Sequence, residues 1–210
     1  MTPQAALQSG LSELALALPA GAADKLLAYT GLLAKWNKTY NLTAIRDPLQ
    51  AVSHHLLDSL AVLRELSDRA GSLADIGSGG GLPGIPLAIA DPARHVTLND
   101  ASEKKGAFLR QAVIELELSN AQVHVGRAED WQPAERFAVV ISRGFASLVD
   151  FLAACRHLVA PAGVLAAMKG IYPAEELVQV PPGCDCGDVR KLQVPLLRAE
   201  RHLVLCRAQG

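Results

Sequence analysis

The chain has 210 residues, which suits one domain of ordinary size with room for a small extension. Half of the residues are hydrophobic, so a sizeable buried core can form, and a net charge of −1 excludes a surface that is basic overall. If the protein binds nucleic acid, its basic residues must therefore be gathered on one face.

The first part of the chain predicts helices. Thr2-Pro3 is typical of a helix start, with a capping side chain followed by proline, and leucines at helical spacing follow until residues 19–21 interrupt the pattern. A second leucine-rich segment predicts a helix that ends near Trp36. Asp47-Pro48 begins a third helix with one apolar face. We expect a helical extension over residues 1–70.

From about residue 72 short apolar strands alternate with helices. The predicted strands are 73–76, 95–98, 123–125, 137–142 and 164–168, and the predicted helices are 83–90, 102–118 and 148–159. This alternation predicts an α/β fold with a mostly parallel sheet and helices on both faces. Two further strand-like runs, 189–194 and 202–206, predict a C-terminal antiparallel hairpin, so the α/β domain is expected to span residues 71–210.

The cysteines do not form a metal-site pattern. Only Cys184 and Cys186 are close together, and zinc sites need a second such pair, so we expect no metal. Neither a basic segment before an apolar run nor a bilayer-length apolar stretch is found. We therefore expect a cytoplasmic protein whose thiols are reduced.

A glycine loop, Asp75-Ile76-Gly77-Ser78-Gly79-Gly80-Gly81, follows the first predicted strand. Residues 79–84 fit the Gly-x-Gly-x-x-Gly pattern of dinucleotide sites, but that match is weak by itself. Asp75 would repel a pyrophosphate, whereas it would attract the ammonium and sulfonium of S-adenosylmethionine. The loop therefore favours the methyl donor, although Asp75 could instead accept hydrogen bonds from loop amides.

Two more acidic residues follow the next two strands. Asp100 ends the second strand, where a carboxylate can accept hydrogen bonds from ribose hydroxyls of either cofactor. Ala128 and Glu129 follow the third strand and could contact the adenine edge, or could form a turn that caps a helix. Together with Asp75, Gly77 and Gly79, they predict a site for S-adenosylmethionine.

Three basic residues follow three consecutive strands: Arg127, Arg143 and Lys169. The carboxyl ends of parallel strands open on one edge, so these side chains should converge beside the cofactor. A cationic donor does not attract further cations, whereas a phosphate-rich substrate does. The alternative is that Arg143 forms an ion pair with Asp75 or Glu129.

The helical part carries further candidates for RNA binding. Basic and aromatic residues interleave in Lys35, Trp36, Lys38, Tyr40 and Arg46. Such a mixture suits single-stranded RNA, but it also suits helix ends whose lysines extend along apolar surface.

The third helix carries His54, His55 and Asp58. His54 and Asp58 are four positions apart, so an ion pair between them is one expectation, and a histidine buried in the core is the other. Both are favoured over a catalytic role.

The sequence lacks the residues that two kinds of base methylation usually require. Carbon-5 of pyrimidines needs a cysteine nucleophile, and no cysteine lies at or just after the fourth strand. The exocyclic amine of adenine is usually served by an Asn/Asp-Pro-Pro-aromatic turn after the fourth strand, whereas the sequence here is Ser142-Arg143-Gly144-Phe145, without a proline. A ring nitrogen such as guanine N7 needs neither device, because alignment and desolvation supply most of the catalysis.

The motifs, taken in order, resemble those of the bacterial ribosomal small-subunit methyltransferase G family, also called glucose-inhibited division protein B. They are Trp36-Asn37-x-x-Tyr40-Asn41-Leu42-Thr43, His55-x-x-Asp58-Ser59, Asp75 through Pro86, Lys105-x-x-Phe108-Leu109-Arg110, Ile141-Ser142-Arg143 and Lys169-Gly170. The resemblance covers nearly the whole chain. Asn99 and Gly144 depart from it, but neither change removes a functional group.

This resemblance implies a class I methyltransferase fold with an N-terminal helical extension. It implies methyl transfer to N7 of one guanine, guanine-527, in the 530 loop of 16S rRNA, by a protein that we expect to act as a monomer. It also implies that the donor is bound through residues matching Gly77, Leu82, Ala128, Glu129 and Arg143.

Arg143 is then expected at the junction of cofactor and substrate, and Arg143 and Lys169 become the catalytic candidates. Arg127 and Lys169, with Lys35, Lys38 and Arg46, remain the RNA candidates. A dinucleotide-dependent oxidoreductase and a non-catalytic RNA-binding assembly factor are the alternative functions.

Overall fold

The computed structural model describes residues 1–208 of the chain. The first helix, α1 (Pro3–Glu13), begins at Thr2, whose side chain accepts a hydrogen bond from the Ala5 N–H, as the sequence predicts. The second, α2 (Ala22–Tyr40), continues beyond the predicted end near Trp36. That prediction was wrong because Trp36 and Tyr40 stack along one helix face, and Asn41 ends the helix only afterwards in a left-handed conformation.

The third predicted helix is present but is not uniform. It consists of α3 (Pro48–Ala51), a π-helix (Val52–Leu57) and α4 (Asp58–Leu60), followed by a 3₁₀ turn at Arg64–Leu66. Its start at Asp47 is confirmed, because that side chain accepts a hydrogen bond from the Gln50 N–H. Helical periodicity alone does not distinguish a π-turn from an α-turn, and π-turns are frequent at functional sites.

Seven strands form one sheet in the order β3-β2-β1-β4-β5-β7-β6. The strands are β1 (Leu73–Ile76), β2 (Val96–Asp100), β3 (Ala121–Val125), β4 (Phe137–Arg143), β5 (Val159–Lys169), β6 (Cys184–Leu192) and β7 (Arg201–Ala208). The first five are parallel, whereas β7 is antiparallel to both β5 and β6. The predicted parallel sheet and its C-terminal hairpin are therefore confirmed.

Helices cover both faces of this sheet. They are α5 (Gly84–Ala90), α6 (Glu103–Glu115) and α7 (Leu148–Cys155), together with the short α8 (Ala174–Leu177), which was not predicted. One core packs the N-terminal helices, α5 and α6 against one face, and a second core lies under α7. Residues 1–70 thus share a core with the sheet, and the division at residue 70 stays a prediction.

The expectation of reduced thiols was wrong for two of the four cysteines. Cys186 of β6 and Cys206 of β7 form a disulfide, while Cys155 and Cys184 are free. The two strands are antiparallel neighbours, their register is irregular between Asp185 and Asp188, and both cysteines are buried in the core under α7. Sequence spacing alone did not indicate this pairing. Within residues 1–208 no helix has the length and apolar character needed to span a membrane.

Candidate active site

The glycine loop is organised around the buried carboxylate of Asp75. Its Oδ2 accepts hydrogen bonds from Ser78 Oγ at 2.5 Å and from the Gly84 N–H at 2.8 Å. Its Oδ1 is buried and has no hydrogen-bond partner within residues 1–208. Burial is the main reason that the pKa of Asp75 is raised to about 6. Oδ2 therefore holds the loop, and Oδ1 is left to accept a hydrogen bond from a ligand.

The glycines of this loop have two different tasks. Gly77 and Gly79 have positive φ angles of 68° and 59°, and a Cβ at Gly77 would meet nothing within 4 Å. A Cβ at Gly84 would instead lie 2.7 Å from Asp75 Oδ2 and 2.3 Å from Leu98. Gly77 thus borders open space, whereas Gly84 permits the close approach that holds Asp75. An open edge beside an unpartnered carboxylate oxygen fits a ligand that carries a cationic group.

A tyrosine of α2 also holds the glycine loop in place. The Tyr29 hydroxyl donates a 2.6 Å hydrogen bond to the Gly80 carbonyl oxygen, and both the ring and the bond are buried. Burial raises the pKa of Tyr29, so its hydroxyl remains a donor. The sequence analysis missed this residue, because the two partners are 51 positions apart.

Asp100 lies at the end of β2, next to the glycine loop. Its Oδ2 accepts a hydrogen bond from the Gly79 N–H at 3.0 Å, and its Oδ1 accepts one from the Ser102 N–H at 2.9 Å. Lys105 Nζ lies 3.4 Å from Oδ2. The carboxylate thus fixes the loop and the start of α6, and its remaining lone pairs can accept hydrogen bonds from a ligand.

The segment after β3 brings three predicted residues together. Ala128 is buried, while Glu129 is about half exposed and forms a 3.0 Å ion pair with Arg127. A hydrogen bond from its own backbone N–H and the nearby guanidinium lower the pKa of Glu129. Arg127 remains 68% exposed, so a substrate phosphate can reach it, although part of its charge is offset by Glu129.

A pocket of about 380 Å³ opens at the carboxyl ends of β4 and β5, and it is called the substrate pocket below. It is lined by Ile45, His54, His55, Asp58, Arg143, Gly144, Met168, Lys169, Gly170 and Arg201. The sequence analysis placed Arg143 and Lys169 at this edge, and both line the pocket. It missed Arg201, which lies at the start of β7, since that strand runs antiparallel and begins where its neighbour ends.

Arg143 has a different partner from the ones considered. Its Nη1 donates to Asp58 Oδ2 at 2.9 Å and to the His54 carbonyl oxygen at 2.8 Å, so a pairing with Asp75 or Glu129 was wrong. Asp58 Oδ1 accepts a second hydrogen bond from Arg201 Nε at 2.7 Å. Asp58 therefore pairs with these two arginines and not with His54, because each of its carboxylate oxygens accepts a hydrogen bond from one arginine.

Lys169 is also paired. Its Nζ lies 2.7 Å from Glu176 Oε2, and only 13% of its side chain is exposed. Glu176 belongs to α8 and also accepts a hydrogen bond from the Leu148 N–H. Lys169 therefore enters the pocket from a fixed position, and its charge is partly balanced.

His55 is a core histidine, one of the two structural possibilities that the sequence left open. It is 5% exposed, and its Nε2 lies 2.9 Å from Thr43 Oγ1. Burial and the nearby Arg143 lower the pKa of His55 to about 4, so the ring is neutral near pH 7.

The N-terminal basic residues do not converge on the substrate pocket. Lys35, Lys38 and Arg46 are exposed, and Arg46 lines a neighbouring cavity of about 430 Å³ between α1, α2 and α3, which shares Ile45 and His55 with the substrate pocket. Trp36 packs edge-on against Phe108 with ring centroids 5.6 Å apart, so it supports the core. Of the residues predicted to bind RNA, the structure thus places only Lys169 in the substrate pocket.

Comparison with known proteins gives consistent matches. The family model described as rRNA small subunit methyltransferase G matches residues 22–204. Ribosomal RNA small subunit methyltransferase G of Burkholderia thailandensis is 50% identical over 209 residues, covering 97% of this chain and 90% of the relative. The protein of the same name from Burkholderia ambifaria strain MC40-6 is 49% identical over 203 residues, covering 94% and 89% respectively.

Solved structures show the same fold at low sequence identity. A SAM-dependent methyltransferase from Aquifex aeolicus has a TM-score of 0.60 at 18% identity, covering 83% of this chain and 97% of its own. The DhpI–SAH complex has a TM-score of 0.55 at 18% identity, covering 90% and 97%.

Proposed function

The chain belongs to the rRNA small subunit methyltransferase G family, whose members are S-adenosylmethionine-dependent methyltransferases, and from this premise we propose that it methylates N7 of guanine-527 in the 530 loop of 16S rRNA. The substrate pocket is the observation that carries the proposal. It gathers guanidinium, ammonium and imidazole groups at the carboxyl ends of β4 and β5, where β4 is the neighbour of β1, the strand that leads into the glycine loop, and none of its lining residues is a cysteine.

The pocket suits a reaction that needs no protein nucleophile. The free thiols belong to Cys155, which is buried in the core under α7, and to Cys184 of β6, neither of which lines the pocket. A pyrimidine carbon-5 reaction lacks its nucleophile there, whereas the N7 lone pair of guanine attacks an electrophilic methyl group directly. S-adenosylmethionine supplies that methyl group on its sulfonium when it is bound.

We assign the donor site to residues of the loop and of the neighbouring strand ends: Asp75, Gly77, Gly79, Leu82, Asp100, Ala128, Glu129 and Arg143. The unpartnered Asp75 Oδ1 would face the donor ammonium, and the open edge at Gly77 and Gly79 would take the donor itself. Asp100 would hold the ribose. Their task is to bind and orient the donor, so that the methyl group faces the substrate pocket.

We assign the guanine side to Arg143 and Lys169 and the RNA backbone to more exposed cations. Arg143 and Lys169 line the pocket, and guanidinium and ammonium groups are the usual ligands of base edges and phosphates. Arg127, Lys35, Lys38 and Arg46 are exposed and would contact phosphates further along the strand. We further propose that the protein acts as a monomer in the cytoplasm on 16S rRNA, within the 30S subunit.

Labelled methyl transfer tests the proposal. Purified protein is incubated with S-adenosylmethionine labelled in the methyl group and with small subunits from a strain lacking the gene, and the RNA is then cleaved chemically at N7-methylguanine. Cleavage at guanine-527 of the 530 loop is the expected result. Labelling at another atom or another nucleotide would contradict the assignment, and free 16S rRNA tested in parallel identifies the preferred form of the substrate.

The two alternative functions have weaker support. Dinucleotide sheets are mostly parallel, whereas β7 is inserted antiparallel between β5 and β6, and the carboxylate of Asp75 lies where a pyrophosphate would bind. A non-catalytic assembly factor would bind RNA without transferring label, so the same experiment separates it from the enzyme.

A further inference from the structure

The substrate pocket contains a carboxylate that holds two arginines from distant parts of the chain. Asp58 begins α4, directly after the π-helix, and its side chain is 2% exposed. Its Oδ2 contacts Arg143 at the end of β4, and its Oδ1 contacts Arg201 at the start of β7, at 2.9 and 2.7 Å. A helix of the N-terminal part thus connects two strands of the sheet at the pocket.

This bridge fixes each guanidinium through more than one hydrogen bond. Arg143 Nη1 also donates to the His54 carbonyl of the π-helix, and Arg201 Nη1 donates to the Glu200 carbonyl. Charge-assisted hydrogen bonds of this kind hold a planar guanidinium in one orientation. Within residues 1–208 the hydrogen bonds of these two side chains involve Arg143 Nη1 and Arg201 Nε and Nη1, which leaves the Nη2 of each for a ligand in the pocket.

The bridge also sets the charge of the pocket. Arg143 and Arg201 with Asp58 sum to one positive charge, and Lys169 is balanced by Glu176. In the proposed reaction the carbon–sulfur bond breaks, the sulfur keeps the electron pair, and the N7 lone pair forms the new bond to carbon. The positive charge therefore moves from the donor sulfonium to the guanine ring, toward the arginines, without transfer of a proton. A second uncompensated guanidinium would oppose that movement.

We propose that Asp58 is a positioning residue of the methyl-transfer step, which orients Arg143 and Arg201 against the guanine and reduces their combined charge from two to one. This inference rests on the proposed function. Asp58 itself does not need to touch the substrate, since both of its carboxylate oxygens are occupied by the arginines.

The first test replaces the charge while keeping the shape. We expect Asp58→Asn to lower kcat for RNA methylation by about 100-fold, because a misplaced pocket group costs on that order, while KM for RNA changes by less than about threefold. Donor affinity measured by calorimetry should fall far less than kcat, by at most about fivefold, since Asp58 makes no hydrogen bond to the glycine loop and reaches the donor site only through Arg143. The matched control is Asp188→Asn, which breaks an Asp–Arg pair of 2.9 Å on the outer strand β6 and should leave kcat unchanged.

The second test uses the charge itself. Arg201→Gln removes one guanidinium, so the double variant with Asp58→Asn returns the pair to a single positive charge. We expect the loss of kcat in the double variant to be at least about threefold smaller than the product of the two single losses, because without Arg201 the carboxylate positions Arg143 alone. Thermal unfolding is recorded for every variant, because an uncompensated buried charge can unfold the protein.

Three outcomes would overturn the inference: a folded Asp58→Asn variant with normal kcat, a loss confined to thermal stability, or a double variant whose loss of kcat equals the product of the two single losses. A wild-type protein that fails to methylate guanine N7 under the same conditions would instead reject the proposed function. The two failures are therefore distinguishable.

Discussion

At the scale of single residues, Asp75 combines a structural and a binding task in one carboxylate. One oxygen accepts hydrogen bonds from the glycine loop, and the other is buried without a partner. Both possibilities that the sequence left open for this residue are thus compatible with its geometry. The raised pKa of about 6 means that the charge available to a donor ammonium changes close to physiological pH.

Donor affinity should therefore depend on pH through Asp75. The carboxyl is protonated below its pKa of about 6 and then loses its attraction for the ammonium, so binding is tight above that pH and weakens as the pH falls through it. We expect calorimetry to show binding about tenfold weaker at pH 5 than at pH 7.

Asp75→Asn should bind weakly at both pH values, while Asp91→Asn, which alters an ion pair with Arg94 just after α5, should behave as wild type. Equal wild-type affinity at the two pH values would contradict this account of Asp75.

Lys169 should affect RNA more than the donor. Its Nζ lies in the substrate pocket and pairs with Glu176, away from the glycine loop. We expect Lys169→Ala to lower kcat/KM for RNA by roughly tenfold, because the pocket loses a cation, while donor affinity stays nearly unchanged. Lys191→Ala, which removes another Lys–Glu pair on β6, is the control and should leave methylation unaffected. A large loss of donor binding in Lys169→Ala would refute the substrate role.

At the scale of elements, α2 and the glycine loop are coupled through Tyr29. Replacing Tyr29 by Phe removes the hydroxyl and leaves the buried Gly80 carbonyl without its donor. We expect the free energy of unfolding to fall by about 1–2 kcal/mol, with a few-fold weaker donor affinity as the loop loosens. Chemical denaturation measures the first quantity and calorimetry the second. Tyr40→Phe is the matched control, since that ring is 43% exposed, and equal stability of the two variants would exclude the coupling.

Elements with a strong local signal were predictable from the sequence. The first strand has the predicted limits, and the caps at Thr2 and Asp47 act as expected, because capping depends on residues three positions apart. The short α8 and the π-helix lack such a signal. The first spans four residues, and the second follows the same apolar periodicity as an α-helix.

The candidate site shows the same difference between residues with a local sequence signal and residues without one. The glycine loop and the strand-end residues follow from the chain order of a βαβ fold, so the sequence indicated Asp75, Asp100 and Arg143. The pairing of Asp58 with Arg143 and Arg201 joins residues 85 and 143 positions apart. No local pattern specifies contacts of that range, because they depend on how the third helix packs across the sheet.

At the scale of the whole molecule, the N-terminal helices complete the site as well as the core. They supply Tyr29 to the glycine loop and Asp58 to the substrate pocket, and their leucines share one core with Leu98 and Phe108. The boundary predicted at residue 70 therefore separates two kinds of sequence pattern, whereas the packing runs across it.

A chain that begins at residue 71 should consequently fail to fold. Without residues 1–70, apolar residues of α5, α6 and the sheet that share a core with the N-terminal helices would be exposed, and too little buried surface would remain for a stable fold. We expect such a fragment to show no cooperative thermal transition by circular dichroism and no donor binding, whereas the full chain unfolds in one transition.

A chain that begins at residue 22 lacks only α1 and serves as the comparison. It should fold with a lower melting temperature, since it loses the buried Ala6 and Leu7 but keeps Tyr29 and Asp58. A folded, donor-binding fragment 71–210 would show that the sheet is an independent domain.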